Sequence, residues 1–183
     1  MNFYEAMQLG AVNLKPLIKE TKDDKLKKKY IAAFIIKNFL TLLFCMIIVT
    51  FFNNAFGSDN SIVGVVTVIA LLTFRFSDLD FKTEQSAIAI LGIFAIFIIS
   101  PYVASISHPV LASIINFTSM MAIVILSCHN VTLSNQSTLV LSYLLLYGYH
   151  VDDISGYINR VVALILGGII VTGVFYFKHR KVN

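Results

Sequence analysis

Two arginines lie at or inside long apolar stretches of the chain, where their guanidinium groups could bind anions. Arg75 closes the run ALLTFRF, and Arg160 lies within GYINRVVALILGG. A guanidinium at the centre of a bilayer costs at least about 2.5–3.5 kcal/mol, so it persists where it reaches the interface, pairs with another group or lines water. Arginine also stays charged and bonds a carboxylate through two parallel N–H groups, which suits it to organic anions.

Two interpretations of these arginines stay open from the residues alone. As interface anchors they pair with neighbouring carboxylates, which are Asp78 or Asp80 for Arg75 and Asp152 or Asp153 for Arg160. As functional groups they line a central water-filled path, where their fixed charge attracts anions.

Other groups that could do chemistry are few and poorly spaced. His108, His129 and His150 recur every 21 residues, which places them in three separate loops without an HxxxH or HxxE pair. Cys45 and Cys128 each lie in an apolar run without CxxC spacing, so disulfide and metal sites are disfavoured. The sequence presents no nucleophile–base pair or phosphate-binding loop, and we expect neither an enzyme nor a bound cofactor or metal.

The composition determines which elements must position the arginines. Of the 183 residues 57% are hydrophobic and 13% are charged, against roughly 45–50% and 25% in soluble domains. The mean hydropathy is +0.81. These values exclude a soluble enzyme, a disordered tail and a secreted disulfide scaffold. The net charge of +4 does not indicate nucleic acid, because the basic residues border apolar segments; the expected partner is the lipid bilayer.

Six apolar segments predict an all-α integral membrane protein with six transmembrane helices, since a hydrocarbon core of about 30 Å takes ~20 helical residues. They cover residues 31–52, 61–76, 86–105, 109–128, 137–150 and 157–177. The second and fifth are short, which favours interior or broken helices. Pro101 and the stretch Ser107-His108-Pro109 should separate the third from the fourth, because proline removes a backbone donor. A five-span alternative merges two segments.

The basic residues predict the orientation. Seven lysines precede the first segment, Arg75 and Lys82 flank the turn after the second, and three basic residues follow the last, which makes twelve of the fourteen on one side. We therefore expect a multi-pass protein of the plasma (inner) membrane with both termini in the cytoplasm.

This pattern divides the chain into three regions. Residues 1–30 form a basic amphipathic cytoplasmic or interfacial segment, 31–177 the six-helix transmembrane domain, and 178–183 a basic cytoplasmic tail. In the first region a short interfacial helix is predicted by helical spacing of apolar residues, namely Phe3, Met7, Gly10, Ala11 and Leu14. Its lysines at 27–29 either fix the topology as a solvated anchor or bind a specific lipid or partner.

A 76-residue shift superimposes the two halves of the transmembrane region. Asn54, Ser58 and Ser61 fall on Asn130, Ser134 and Ser137, and the polar breaks between apolar segments coincide. Three spans followed by three would give an inverted 3+3 repeat, in which substrate sites lie near the midplane where broken helices meet. Chance similarity between apolar segments is the alternative.

Polar and small residues within the segments predict helix packing. Asn116, Thr118 and Ser119 form one polar patch and Ser142 with Tyr143 another; they bond neighbouring helices or, alternatively, line a path.

The last segment carries further packing signals. Asp152-Asp153 either caps its helix or stands in an outer vestibule, and Gly167, Gly168 and Gly173 let a neighbouring backbone approach, within the chain or across a dimer.

The run Asn159–Gly168, NRVVALILGG, resembles the arginine-then-glycine signature that opens the last span of the FUSC family of fusaric-acid-resistance and aromatic acid exporter membrane domains. Aluminium-activated malate transporters look like distant relatives. The resemblance covers about residues 30–178 and implies a homodimeric bundle that moves organic or aromatic acids. By position, Arg75 and Arg160 match the paired arginines of the malate transporters, and Lys82 is a third candidate for substrate binding. The family's large soluble module is missing after the last span, so a separate soluble or periplasmic subunit could supply it.

Two functions follow as hypotheses. The first is a transporter, exporter or channel for organic anions, aromatic acids among them, which acts as a homodimer with an arginine-lined path. The alternative is a non-transporting membrane subunit that scaffolds or anchors an envelope complex, and it needs no such path.

Overall fold

The computed structural model describes residues 11–21, 23–76, 83–127, 137–151 and 153–179. Helices make up 94% of the structure, and no strand occurs in these ranges, so the predicted all-α class is confirmed. The described residues fall into two compact units, 1–47 and 48–183. The predicted boundary at residue 30 lies within a helix that runs unbroken across it.

The first unit contains helix α1, Ala11–Glu20, and the first part of helix α2, Asp24–Phe56. Asp23 begins α2: its carboxylate accepts from the amide of Lys25 at 2.9 Å, and its carbonyl accepts from that of Lys27. α1 packs back against this start, with Leu17 and Ile18 next to the buried Tyr30. A helix is thus present in the predicted interfacial segment, although the face predicted from Phe3 and Met7 lies outside the described residues.

The second unit contains a short 3₁₀ helix and five further α-helices. Their bounds are Ser58–Asn60 for the 3₁₀ helix, then α3 Ser61–Phe76, α4 Thr83–Ile106, α5 Pro109–Ser127, α6 Ser137–Gly148 and α7 Ile154–His179. One apolar core joins them, with the fully buried side chains of Phe52, Ile90, Phe97, Ile123 and Tyr143 among its members.

Four helices are long and apolar enough to cross a membrane: Asp24–Phe56, Glu84–Ile106, Pro109–Ser127 and Ile154–Phe177. We conclude that this is a membrane protein. α3 and α6 have 16 and 12 residues, which at 1.5 Å per residue is about 24 and 18 Å against a core of about 30 Å. Most of the described α3 side chains from Val63 to Phe74 are buried, as expected of an interior helix.

The predicted break at Pro101 is wrong, because α4 continues through this residue to Ile106. Proline at 101 cannot donate to the carbonyl four residues earlier, and its ring crowds that turn of helix. The carbonyl that loses its helical donor is that of Phe97. The Tyr157 hydroxyl from α7 donates to the neighbouring Ile98 carbonyl at 3.1 Å, which joins this turn of α4 to α7. The chain breaks instead at Ser107-His108. Pro109 is then the first residue of α5, where a missing N–H costs nothing.

The glycines of α7 permit close contact with two neighbouring helices. A Cβ on Gly167 would lie 2.4 Å from Thr67 Oγ1 of α3, and one on Gly168 would lie 3.1 Å from the Phe94 ring of α4. Gly173 has nothing within 4 Å of such an atom. Close packing inside the chain is therefore confirmed for the first two glycines, and the third has no such role among the described contacts.

Candidate functional site

Helix α7 presents Arg160 from its second turn. The helix begins at Asp153, whose carbonyl accepts from the Tyr157 amide at 2.9 Å and whose carboxylate accepts from the Ser155 hydroxyl. That hydroxyl, together with the backbone amides of the first turn, lowers the pKa of the Asp153 carboxyl below its ordinary value of 3.8. Asp153 therefore caps the helix, as one of the two interpretations predicted; Asp152 lies outside the described residues.

The guanidinium of Arg160 is 6% exposed and donates through all three of its nitrogens. Nε donates to Asn60 Oδ1 at 3.1 Å, Nη2 donates to the Asp59 carbonyl at 2.7 Å, and Nη1 donates to the Tyr149 carbonyl. These acceptors belong to the 3₁₀ helix before α3 and to the turn after α6. The Arg160 side chain thus joins three segments, which are α7, the 3₁₀ helix and the turn after α6. The most distant acceptor lies 101 residues away in sequence.

The partners of Arg160 are neutral, although Asp59 is also a nearby source of negative charge. Two backbone carbonyls and a side-chain amide accept its hydrogen bonds. Within the described part of the chain no ion pair with a carboxylate accompanies them, and the Asp153 carboxylate bonds Ser155 instead. Predicted pairing with Asp153 is therefore wrong. The guanidinium is fixed in position, and among the described residues, which do not include Asp152, no carboxylate is paired directly with it.

An open recess of about 320 Å³, counted to its mouth, has Arg160 in its wall. Tyr102 and Tyr157 stack beside it, with ring centroids 4.0 Å apart and planes 24° from parallel. The rest of the lining is apolar apart from His150 and consists of Phe97, Ile98, Pro101, Leu146, Val151 and Leu164. The interior of the recess has room for about one water molecule, so a larger guest requires the walls to move.

The other two predicted substrate-binding residues are Arg75 and Lys82. Arg75 is the next-to-last residue of α3, its side chain lies outside the described part, and Lys82 is itself outside the described residues. Asn60, which bonds Arg160, immediately precedes α3. Fifteen residues of rise separate its backbone from that of Arg75, about 22 Å. Within one chain the two arginines therefore mark opposite ends of α3 and cannot grip one carboxylate together.

Sequence reasoning missed the acceptors that hold Arg160. Asp59 and Tyr149 contribute only backbone carbonyls, which every residue type carries, so their identity left no signal. Asn60 did leave a signal, because its side-chain amide stands in the polar break between two apolar segments; the structure shows that it is only 2% exposed. An arginine near the end of one apolar segment and an amide in a polar break can be predicted to form a hydrogen bond when the topology places both at the same end of the bundle.

The predicted polar patches bond neighbouring helices in part. The Tyr143 hydroxyl of α6 donates to Asn116 Oδ1 of α5 at 2.6 Å, so a helix-bonding role is confirmed for this pair. Thr118 and Ser142 instead donate to carbonyls of their own helices. A further bond of 3.0 Å joins Thr73 Oγ1 of α3 to Thr138 Oγ1 of α6.

In the described ranges no group of three or more His, Cys, Asp and Glu side chains is placed to hold a metal ion. Comparison with protein-family models, with curated proteins and with solved structures finds no match to this chain. The resemblance to the FUSC family therefore stays a prediction that rests on the residues quoted for it.

Proposed function

We propose that this chain is a six-span protein of the inner membrane that lets organic anions cross it, as an exporter or as a channel. The observation that supports this most is the buried guanidinium of Arg160 in the wall of an aromatic recess, held by neutral acceptors. In this proposal Arg160 is the fixed cation at one end of the path.

The bonding of Arg160 suits an anion better than it suits a cation or a neutral guest. Charges interact more strongly in a poorly solvated site than in water, roughly 4 kcal/mol at 4 Å for an effective dielectric of 20. Three of the five guanidinium N–H groups are used inside the protein, which leaves two for a carboxylate. Partial occupation keeps binding weak enough for release, as passage requires.

The walls of the recess fit the apolar body of an organic acid. Tyr102, Tyr157 and Phe97 offer aromatic surface next to the charge. α4 carries Pro101 at this point, where a helix bends most easily. Movement of its outer end would widen the recess from the volume of a water molecule to that of a small acid.

In this proposal the second anion-binding position of the path is at the C-terminal end of α3. Arg75 and Lys82 would receive the anion on the cytoplasmic side, about 22 Å from the Arg160 end. The short helices α3 and α6 begin at Ser61 and Ser137, the pair that the 76-residue shift superimposes. This supports the inverted repeat, with both helices as its broken midplane elements. A homodimer and a separate soluble subunit complete the proposal.

A measurement of anion flux in proteoliposomes tests the proposed transport function. We would measure uptake of benzoate, malate and acetate by the reconstituted chain and by Arg160→Gln, Arg75→Gln and Lys19→Gln. The last removes one exposed positive charge from α1 and is the matched control. We expect at least a tenfold loss of flux for each arginine variant and wild-type flux for the control. Flux that survives both arginine substitutions would refute the arginine-lined path.

A second candidate, a non-transporting membrane scaffold, is favoured by one observation. Arg160 already uses each of its nitrogens to join three segments, which is sufficient reason for a buried arginine in a purely structural role. This function predicts no flux with any acid of the panel, although Arg160→Gln would still lower stability. Crosslinking in detergent adds a further distinction, because the transporter proposal expects a homodimer.

A further inference from the structure

The start of α2 carries a dense cluster of exposed positive charge. Lys25, Lys27, Lys28 and Lys29 all lie within the first two turns of the helix and are exposed. Cations at this end oppose the helix macrodipole, which favours negative charge at the N-terminus. Asp23 already provides the cap. Helix stability therefore does not account for the lysines.

Three of these lysines share one side of the helix. At about 100° per residue, Lys25, Lys28 and Lys29 fall within a sector of about 100°, whereas Lys27 points to the other side. α1 covers the opposite side, where Leu17 and Ile18 pack with the buried Tyr30. We call the side with Lys25, Lys28 and Lys29 the cationic face.

The same face turns apolar further along α2. Ala32, Ile36 and Phe39 continue it, and the last two are 41% and 64% exposed. From Lys28 to Phe39 the helix rises about 16 Å, close to half of a hydrocarbon core of about 30 Å. A ligand that covers this face needs anionic oxygens at one end and an apolar chain of one-leaflet length at the other.

We infer that this face binds an anionic phospholipid, independently of any transport function. The headgroup phosphate accepts hydrogen bonds from the ammonium groups of Lys25, Lys28 and Lys29, and an acyl chain lies along Ala32, Ile36 and Phe39. Lysine binds phosphate as a point charge through three donors. A headgroup with net negative charge is preferred over a zwitterionic one, whose own ammonium competes with the lysines.

Native mass spectrometry of the purified full chain in detergent tests this site. We would titrate it with phosphatidylglycerol and, separately, with phosphatidylcholine of the same chains, and count bound lipids. Each lysine in direct contact with the headgroup contributes about fivefold to the affinity for anionic lipid. We expect Lys28→Gln/Lys29→Gln to weaken the tightest phosphatidylglycerol binding about 25-fold and to leave phosphatidylcholine binding unchanged. The matched control, Lys19→Gln/Lys27→Gln, removes the same charge off the face and should change it less than threefold.

Three results would overturn the site. Equal losses in the two double variants would mean diffuse attraction to the whole basic segment. Equal binding of the two lipids by the wild type would remove the charge preference. The same spectra also count dimers of the protein. If Phe39→Ser lost the dimers but kept its phosphatidylglycerol binding, a second copy of this chain would cover the face instead of a lipid. Circular dichroism of each variant confirms that the helices are intact, so a loss of binding is not a loss of folding.

Discussion

Arg160 of α7 and the lysines of the cationic face carry the same charge under opposite conditions. The arginine is 6% exposed and each nitrogen has a fixed acceptor, whereas the lysines are exposed and share a helix end with an aspartate cap. Desolvation makes each hydrogen bond of the arginine important for folding, since its partners would otherwise stay unsatisfied. The solvated lysines affect folding little and act on what approaches them. Burial therefore makes the arginine important for folding, whatever it binds, whereas the exposed lysines can be replaced with little effect on folding.

The largest expected effect that tests this comparison comes from Arg160→Met. Loss of three hydrogen bonds should lower the free energy of unfolding by about 2–4 kcal/mol. Arg160→Lys should recover only part of this, because one ammonium cannot reach all three acceptors. Thermal unfolding in detergent measures both, with Lys28→Gln as the exposed counterpart, expected within about 0.5 kcal/mol of the wild type. Equal effects at the buried and exposed positions would contradict the comparison.

Gly167→Ala tests how tightly α7, the helix that carries Arg160, packs against α3. The new Cβ would lie 2.4 Å from Thr67 Oγ1, so either this hydroxyl leaves the Val63 carbonyl to which it donates, or α7 and α3 separate. We expect a loss of about 1–3 kcal/mol in the free energy of unfolding, measured in the same way. Gly173→Ala is the control, since nothing lies within 4 Å of its Cβ. Rescue of the first variant by Thr67→Ala would identify the hydroxyl as the obstacle; failure to rescue would exclude it.

A smaller effect is expected at the uncharged buried pair. Tyr143→Phe removes the hydrogen bond of 2.6 Å to Asn116 and keeps the ring. Bonds of this kind between helices in membranes contribute about 0.6 kcal/mol on average, so a change of that order is expected. Thr118→Val is the control, because that hydroxyl bonds the carbonyl of Ile114 in its own helix. If Tyr143→Phe lowered the free energy of unfolding as much as Arg160→Met, the charge of the arginine would be unimportant to the difference in stability effects between buried and exposed sites.

The smallest effect is a pH dependence at the exposed cap of α7. Because the folded-state pKa of Asp153 is lowered, its contribution to stability is present above the ordinary pKa of 3.8 and is lost as the pH falls through the lower value. Asp153→Asn should therefore be slightly less stable than the wild type at pH 6 and equal to it once the carboxyl is protonated. Unfolding curves of both proteins between pH 6 and pH 2.5 measure the difference. A difference that grows on acidification would contradict this sign.

The helices could be predicted because their signal is local. A run of apolar residues long enough to cross a bilayer leaves little choice of structure, since every backbone polar group must bond within the segment. Each of the six apolar segments contains a helix, four of them long enough to span. Pro101 was misjudged because the effect of a proline depends on its neighbours: α4 is held at this turn by α7, where the Tyr157 hydroxyl bonds the Ile98 carbonyl, 59 residues away in sequence.

The surroundings of Arg160 could be predicted only in part. The residue itself was evident as a charge in an apolar run, and Asp153 as a cap followed from its place before the helix. Its three partners lie 11, 100 and 101 residues away, and two of them act through the backbone. Their proximity depends on how the turns before α3 and after α6 meet, which a single sequence does not encode in recognisable residue types. The stacking of Tyr102 on Tyr157 was missed for the same reason.

In the proposed transporter the charge of Arg160 faces anions that enter the recess from water. Single cysteines in a background without Cys45 and Cys128 test it most directly, one at Val151 in the recess wall and one at the exposed Ile154 outside it. We would compare their reaction rates with a sulfonate-bearing and a trimethylammonium-bearing methanethiosulfonate. We expect the anionic reagent to be favoured at least about tenfold more at Val151→Cys than at Ile154→Cys, and Arg160→Gln to abolish this preference. An equal ratio at the two positions, or a preference that survives Arg160→Gln, would contradict it.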